Sequence, residues 1–127
     1  MDKSISSGLK TWFIVHMIVG AVFGVLFLLL PEMWGNLIGW PAKDPLIFRL
    51  FGAAIWGLTA SSWFAYKETA WDKVKIVVQM EMVWLILGAL VMLHGLFLGG
   101  APALGGWLYF VVLGGLAAGF SYFYSRA

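Results

Sequence analysis

Four long runs of apolar residues restrict what this sequence can fold into. They cover about residues 11–30, 46–66, 74–98 and 103–124. A helix of about 20 residues spans the roughly 30 Å hydrocarbon core of a bilayer. Apolar residues make up 62% of the 127 residues and charged ones 11%, too few to coat a soluble domain. We therefore predict one all-α domain over residues 1–127: an integral membrane, antiparallel bundle of four transmembrane helices.

Proline and glycine residues mark the ends of these runs. Pro31 ends the first run, because proline cannot continue a helical hydrogen-bond ladder, and Pro45 suits the first turn of the second. Gly99 and Gly100 close the third run. The connections are short, which makes successive helices antiparallel neighbours. A short interfacial helix that begins at Pro31 is expected in the first connection.

The distribution of basic residues predicts the orientation. If both termini are cytoplasmic, six of the eight basic residues lie on the cytoplasmic side, as the positive-inside rule requires. The six are Lys3, Lys10, Lys67, Lys73, Lys75 and Arg126, against Lys43 and Arg49 on the outer side. We therefore expect a multi-pass protein of the cell membrane, with the lipid bilayer as its first partner.

Several kinds of chemistry lack the residues that they need. The sequence has no cysteine, which removes thiolate metal sites and cysteine nucleophiles. It has no helical His-x-x-x-His pair and no glycine-rich phosphate loop. The basic residues are scattered and form no face for nucleic acid. We therefore expect no metal, no cofactor and no nucleic-acid partner.

Small residues recur at helical spacing in every run. Helices in lipid associate by close packing of small residues, so each such seam is expected to face another helix. One interpretation is packing within the bundle, and the other is a homo-oligomer formed through the seam of the first or fourth run. The glycines chosen for helix packing are Gly20, Gly24, Gly57, Gly88, Gly115 and Gly119.

Ionisable residues inside the apolar runs require a partner, because each costs about 2.5–3.5 kcal/mol at the bilayer centre. His16 is spaced by four from Gly20, and Glu81 by seven from Gly88, so both project along packing seams. Their depths in the bilayer are similar. Ser62 and Ser121 reach a similar layer, and we predict a polar cluster of His16, Glu81, Ser62 and Ser121 in the inner leaflet. Trp84, one turn from Glu81, is a fifth candidate that either lines the same space or packs in the core.

Two interpretations of this cluster stay open. The imidazole of His16 and the carboxylate of Glu81 can form a structural clamp between the first and third runs. They can equally form a proton relay or a polar-ligand site. Nearer the outer side lie Arg49 and His94, which are expected either to bind an anion or a lipid headgroup or, for Arg49, to pair with an acidic residue of the outer loop.

One hexapeptide carries a resemblance to a known group of proteins. The segment Phe48-Arg49-Leu50-Phe51-Gly52-Ala53 follows a proline-terminated run and a tryptophan-containing connection. This arrangement resembles the pattern of DoxX-like and neighbouring small four-span membrane proteins. The resemblance implies a four-helix membrane fold, and no functional residue is carried over from it.

Three kinds of function follow from these observations. The first is a non-enzymatic, oligomeric unit for permeation or for binding a small ligand or lipid. Its permeation form predicts a cavity open to the cytoplasmic side and lined by His16 and Glu81. The second is an accessory or structural subunit of a larger membrane complex. The third is a small intramembrane enzyme, which is disfavoured because the sequence places no base near a serine.

Overall fold

The computed structural model describes residues 3–127, and this part of the chain contains helices and no strand. Four helices are long and apolar enough to cross a membrane, as the sequence predicted. The fifth is the short helix expected at Pro31. In chain order the helices are α1 (Ser7–Leu29), α2 (Pro31–Leu37), α3 (Pro45–Tyr66), α4 (Trp71–Leu98) and α5 (Ala103–Arg126).

Local signals in the sequence explain where these helices begin and end. α1 begins four residues before the apolar run because the side chain of Ser6 caps it, accepting a hydrogen bond from the Leu9 amide at 3.1 Å. Asp44 caps α3 through the amide of Ile47 at 3.4 Å. The chain turns after α2 and α4 at Gly39 and Gly100, whose φ angles of 72° and 69° favour glycine.

The segment before α1 is held against the connection between α3 and α4. The amide of Ile5 donates to the carbonyl of Thr69 at 2.9 Å, and the amide of Trp71 donates to the carbonyl of Lys3 at 2.7 Å. The second bond satisfies an N–H group in the first turn of α4, which has no partner inside its own helix. These bonds tie the N-terminal segment to the start of α4.

The long helices pack as two pairs. α1 lies along α3 and α4 lies along α5, whereas α1 with α5 and α3 with α4 meet over shorter stretches. α1 and α4 face each other across the bundle, and the backbones of these two described helices do not come into contact. Any contact between α1 and α4 therefore depends on their side chains.

Four of the six predicted packing glycines do face another helix. A Cβ on Gly20 or Gly24 would collide with Thr59 or Trp56 of α3, and one on Gly119 would collide with Trp12 of α1. A Cβ on Gly88 would lie 3.2 Å from Leu113 of α5. These glycines allow the close approach of helices that the sequence predicted.

Gly57 and Gly115 do not pack against another helix of this chain, so the prediction of packing within the bundle is wrong for these two glycines. Both are exposed, and a Cβ added to either would meet nothing within 4 Å. Each long helix is apolar on nearly all sides, so no amphipathic pattern distinguished inward glycines from outward ones. Contact of these two glycines with a second copy of the chain stays a prediction.

The two ends of the bundle differ in how tightly they pack. We call the end with residues 3–10, 63–75 and 120–127 the terminal end, and the end with residues 28–46 and 96–106 the loop end. The hydrophobic core lies in the terminal half, and toward the loop end the helices enclose a cavity. The core consists of Ile5, Leu9, Phe13, Ala65, Trp71, Val74, Val78, Leu85, Leu116, Ala117 and Phe120.

The contrast between Gly20 and Gly57 gives a direct test of the α1–α3 contact. Gly20→Leu forces a side chain against Thr59 and is expected to lower the free energy of unfolding by about 1–3 kcal/mol. Gly57→Leu enters open space and is expected to change it by less than about 0.5 kcal/mol. Unfolding of the purified protein in detergent measures both. Equal losses in the two variants would contradict this packing.

Candidate functional site

A cluster of polar side chains lies at the centre of the bundle, where the core gives way to the cavity. Nε2 of His16 on α1 is 3.2 Å from Oε2 of Glu81 on α4. Nδ1 of the same imidazole is 2.7 Å from Oγ of Ser62 on α3. The indole N–H of Trp84 donates to Oε2 of Glu81 at 2.8 Å. We call His16, Ser62, Glu81 and Trp84 the polar cluster.

The hydrogen-bonding roles in the polar cluster form a closed chain. The indole N–H of Trp84 can only donate, so Oε2 of Glu81 is an acceptor. With Nε2 of His16 donating to the same oxygen, Nδ1 is left to accept the hydroxyl proton of Ser62. Each polar atom then has a partner, and no buried side-chain N or O atom in residues 3–127 lacks one.

The polar cluster is almost completely removed from solvent. Glu81 and Ser62 have no exposed surface, and His16 is 3% exposed. Phe120 of α5 closes the fourth side, with its ring centroid 5.6 Å from that of His16. Every long helix therefore contributes to the contact. A carboxylate buried in this way is tolerated only because the imidazole and the indole N–H compensate for the lost water.

Sequence reasoning selected most of this cluster. The structure brings together four of the five predicted residues, namely His16, Ser62, Glu81 and Trp84. Ser121 is the exception: it makes no hydrogen bond to the cluster in the described part of the chain, and its neighbour Phe120 takes the place on α5. One residue corresponds to 100° around a helix, and the apolar character of α5 gave no signal to choose between them.

Ser61 lies next to the polar cluster, and the sequence did not identify it as a site residue. Its hydroxyl lies 2.6 Å from the carbonyl of Leu58 and 3.5 Å from Oε1 of Glu81. Since a hydroxyl has one proton, the nearer carbonyl takes it, and the approach to Glu81 is the weaker one. Ser61 is half-buried, whereas Gly57, one turn earlier on α3, is exposed.

The two residues expected near the outer side do not join the polar cluster. Arg49 on α3 and His94 on α4 are both exposed. Within residues 3–127, Arg49 forms no salt bridge, so the expected pairing with Glu32 or Asp44 is not seen. An anion or headgroup held by Arg49 and His94 stays a prediction.

The order Ser62–His16–Glu81 is that of a nucleophile, a base and an orienting carboxylate. The sequence alone had placed no base beside a serine, and the fold supplies one by packing α1 against α3. However, Ser62 has no exposed surface and does not line the cavity. The hydroxyl of Ser62 is therefore separated from the cavity in this structure.

A cavity of about 350 Å³ extends from the polar cluster toward the loop end. His16 lines it at one end and Phe27 at the other, a distance of about 16 Å along α1. Its remaining walls are mostly aromatic and aliphatic. They come from α1 (Val19, Gly20, Phe23), α3 (Ile47, Phe48, Phe51, Ile55, Leu58, Thr59), α4 (Trp84, Met92), α5 (Tyr109, Val112, Leu113, Leu116) and Trp40.

The position of the cavity differs from the one expected for permeation. That hypothesis placed a cavity at the terminal end, lined by both His16 and Glu81. The observed cavity lies in the opposite half of the bundle, and only His16 of the pair lines it. Glu81 is behind the imidazole, and the core fills the space between the cluster and the termini.

Aromatic residues surround the loop end of the cavity. The indole N–H of Trp34 on α2 donates to the hydroxyl of Tyr109 at 2.8 Å. The ring of Tyr109 lies 6.0 Å from each of the rings of Phe23, Phe27 and Trp40. The short α2 thus holds α5 at this end. Sequence reasoning missed Tyr109, because a tyrosine near the predicted boundary of a span is ordinarily an interfacial residue.

The described residues contain no group of three or more His, Asp or Glu side chains that could hold a metal ion. Comparisons of the chain with protein-family models, with curated proteins and with solved structures find no match. The resemblance to DoxX-like proteins therefore stays an expectation. The polar cluster and the cavity are the features of the structure that bear on function.

The His16–Glu81 pair should show strong coupling in a double-mutant cycle. Glu81→Leu or His16→Leu leaves a buried polar group unpaired, and each is expected to lower the free energy of unfolding by about 3–5 kcal/mol. The double variant is expected to lose clearly less than the sum of the two. Glu81→Gln, which keeps an acceptor for Trp84, should fall between wild type and Glu81→Leu.

A matched control is available at the surface. Lys73 and Glu68 form a salt bridge at 3.1 Å with side chains 65% and 40% exposed. Their double-mutant cycle should give a coupling near zero, because solvent screens exposed pairs. Unfolding in detergent measures both cycles. Strict additivity at His16 and Glu81 would show that the two side chains do not support each other.

Proposed function

We propose that this chain is a membrane protein that binds an apolar small molecule of the lipid class in the cavity between its two helix pairs. The observation that carries the proposal is the cavity itself, about 350 Å³ with mostly apolar walls, which lies between the two helix pairs. This volume falls in the range of small-molecule binding sites. Apolar walls favour hydrocarbon, because burying apolar surface is what such a site can offer a ligand.

The dimensions of the cavity favour an elongated ligand. A path of about 16 Å along α1 suits a chain or a narrow ring system. Aromatic side chains line much of this path, including Phe23, Phe27, Phe48 and Phe51. Such rings provide large rigid contact surfaces for hydrocarbon.

The polar cluster serves this proposal as the closed floor of the cavity. Both nitrogens of His16 are engaged with protein atoms, so the imidazole presents its carbon atoms to a ligand. The packed core beyond the cluster supports ligand binding rather than permeation. Of the two interpretations of the cluster, we favour the structural clamp.

A bilayer setting is part of the proposal. Each long helix carries apolar side chains that are more than 60% exposed: Ile18 on α1, Leu50 on α3, Val83 on α4 and Val111 on α5. Water would disfavour so many exposed apolar groups, whereas hydrocarbon would not. The positive-inside rule places the terminal end in the cytoplasm, which puts the cavity in the outer half of the bilayer.

Single cysteines test this orientation, since the chain has none of its own. Ser125→Cys is expected to react with a membrane-impermeant maleimide only after cells are opened. Ala42→Cys, in the connection between α2 and α3, is expected to react in intact cells. Labelling followed by gel-shift measures both. The reverse pattern would invert the proposed topology, and equal labelling of both in intact cells would contradict a membrane-spanning bundle.

Neighbouring valines on α5 test ligand binding. Val112 lines the cavity, whereas Val111 is 64% exposed on the outer face of the same helix. Val112→Trp should fill part of the cavity and weaken binding of a fluorescent fatty-acyl probe at least tenfold. Val111→Trp should leave the affinity within about twofold of wild type. Titration of the purified protein in detergent measures both affinities.

Two results of that titration would argue against the proposal. Saturable binding that survives Val112→Trp would locate the ligand elsewhere. Absence of saturable binding in the wild type, together with no lipid detected in the purified protein by mass spectrometry, would remove the binding function.

A further inference from the structure

We infer that the ligand carries an uncharged oxygen acceptor, a carbonyl, ester or ether group, which the hydroxyl of Tyr109 binds at the loop end of the cavity. The inference rests on the proposed function and specifies the class of ligand. It follows from a count of the polar groups that line the cavity and of the bonds that each already makes.

The polar side chains at the floor of the cavity have no free donor. His16 is bound to Ser62 and Glu81 through its two nitrogens. The hydroxyl of Thr59 donates to the carbonyl of Ile55 at 2.8 Å. The indole N–H of Trp84 donates to Glu81. A ligand that used any of these groups would have to break a buried hydrogen bond and leave its partner unsatisfied.

Tyr109 differs from these residues because its hydroxyl proton is not used in a hydrogen bond within the described part of the chain. Its oxygen accepts the indole N–H of Trp34, and since an indole can only donate, this bond does not use the tyrosine proton. In residues 3–127, Tyr109 donates no hydrogen bond to another residue. The hydroxyl proton can rotate toward an acceptor in the cavity. Accepting a bond from Trp34 also polarises the hydroxyl and makes it a stronger donor.

The surroundings of Tyr109 exclude a charged ligand group. Among the described residues that line the cavity, none is a lysine or an arginine. A carboxylate or phosphate placed there would lose its hydration without a counter-charge, which is costly in an apolar cavity. An uncharged acceptor needs only one donor. The ligand therefore lies with its oxygen beside Tyr109 and its hydrocarbon part directed toward His16.

Trp40 is the competing donor at this end. It lines the cavity, its ring lies 6.0 Å from that of Tyr109, and its indole N–H makes no hydrogen bond in the part of the chain described. We assign the ligand's acceptor group to Tyr109 because the hydrogen bond from Trp34 holds the Tyr109 side chain in place, whereas no such bond holds Trp40. The experiment distinguishes the two.

The test compares two probes that differ in one acceptor group. Methyl dodecanoate and tetradecane have similar length, and each can displace a fluorescent apolar probe from the purified protein in detergent. Tyr109→Phe should lower the ratio of ester affinity to alkane affinity by about three- to tenfold, the value of one net hydrogen bond. Its affinity for tetradecane should stay within twofold of wild type, which shows that the cavity is intact.

Two further variants serve as controls. Tyr122→Phe removes a hydroxyl from a tyrosine of the same helix that is 53% exposed, and it should keep the wild-type ratio. Trp40→Phe should also keep it. A carbon-13 label on the ester carbonyl gives a readout independent of affinity, since its infrared band should lie at lower frequency in the wild type than in Tyr109→Phe.

The outcomes separate the inference from the proposed function. Binding of both probes with the same ratio in wild type and Tyr109→Phe would overturn the inference and leave lipid binding in place. Loss of ester preference in Trp40→Phe alone would overturn it in favour of Trp40. Failure of the wild type to bind either probe would overturn both. An infrared band at the free-carbonyl position in the wild type would overturn the inference even if Tyr109→Phe does not fold.

Discussion

The pair between His16 and Glu81 joins two helices whose backbones do not come into contact. α1 and α4 lie diagonally across the bundle, and the 3.2 Å contact between imidazole and carboxylate crosses that diagonal. Ser62 from α3 and Phe120 from α5 complete the contact. This layer and the hydrogen bond from Trp34 of α2 to Tyr109 of α5 at the loop end are two of the contacts that hold the helix pairs together. A purely apolar layer would be less specific about their relative position, since apolar contacts have no direction.

This layer separates a tightly packed half of the bundle from the half that contains the cavity. On the terminal side, the aliphatic and aromatic side chains of the hydrophobic core pack closely. The N-terminal segment is hydrogen-bonded to the connection between α3 and α4 and to the start of α4. On the loop side, glycines of α1 draw α1 against α3, while the α4–α5 pair stays far enough away to leave a cavity. An empty cavity costs packing energy, which increases with its volume. The tightly packed half and the satisfied polar cluster offset that cost and keep the loop side open.

The sequence was sufficient for features that rest on strong and local signals. Runs of apolar residues bounded by Pro31, Pro45 and Gly99 defined the helices within a few residues. The high cost of an ionisable group among apolar residues singled out His16 and Glu81, and glycine spacing placed both on inward faces. Ser62 followed from its depth, and Trp84 from its position one turn from Glu81. These inferences needed no knowledge of how the four helices are arranged.

What the sequence could not supply depends on helix rotation. A helix that is apolar all round gives no preferred face, so Ser121 was chosen in place of Phe120, and Gly57 and Gly115 were taken to face inward. The cavity is not a property of any one segment. It results from the distance between two helix pairs, and its lining residues, such as Val112 and Met92, are of the same types as the exposed apolar residues of the outer faces.

The hydrogen bonds within the polar cluster determine which polar groups the floor of the cavity presents. The donors of the floor are all paired, so a further hydrogen bond to any of them would have to replace an existing one. The open hydroxyl of Tyr109 lies at the other end, where α2 and Trp34 fix it. Among the described residues, the donors at the loop end that make no hydrogen bond are those of Tyr109 and Trp40, and the lining from there toward His16 is mostly apolar. The cavity therefore has a hydrogen-bonded floor at one end and donors without partners at the other, and the buried carboxylate of Glu81 takes no part in its lining.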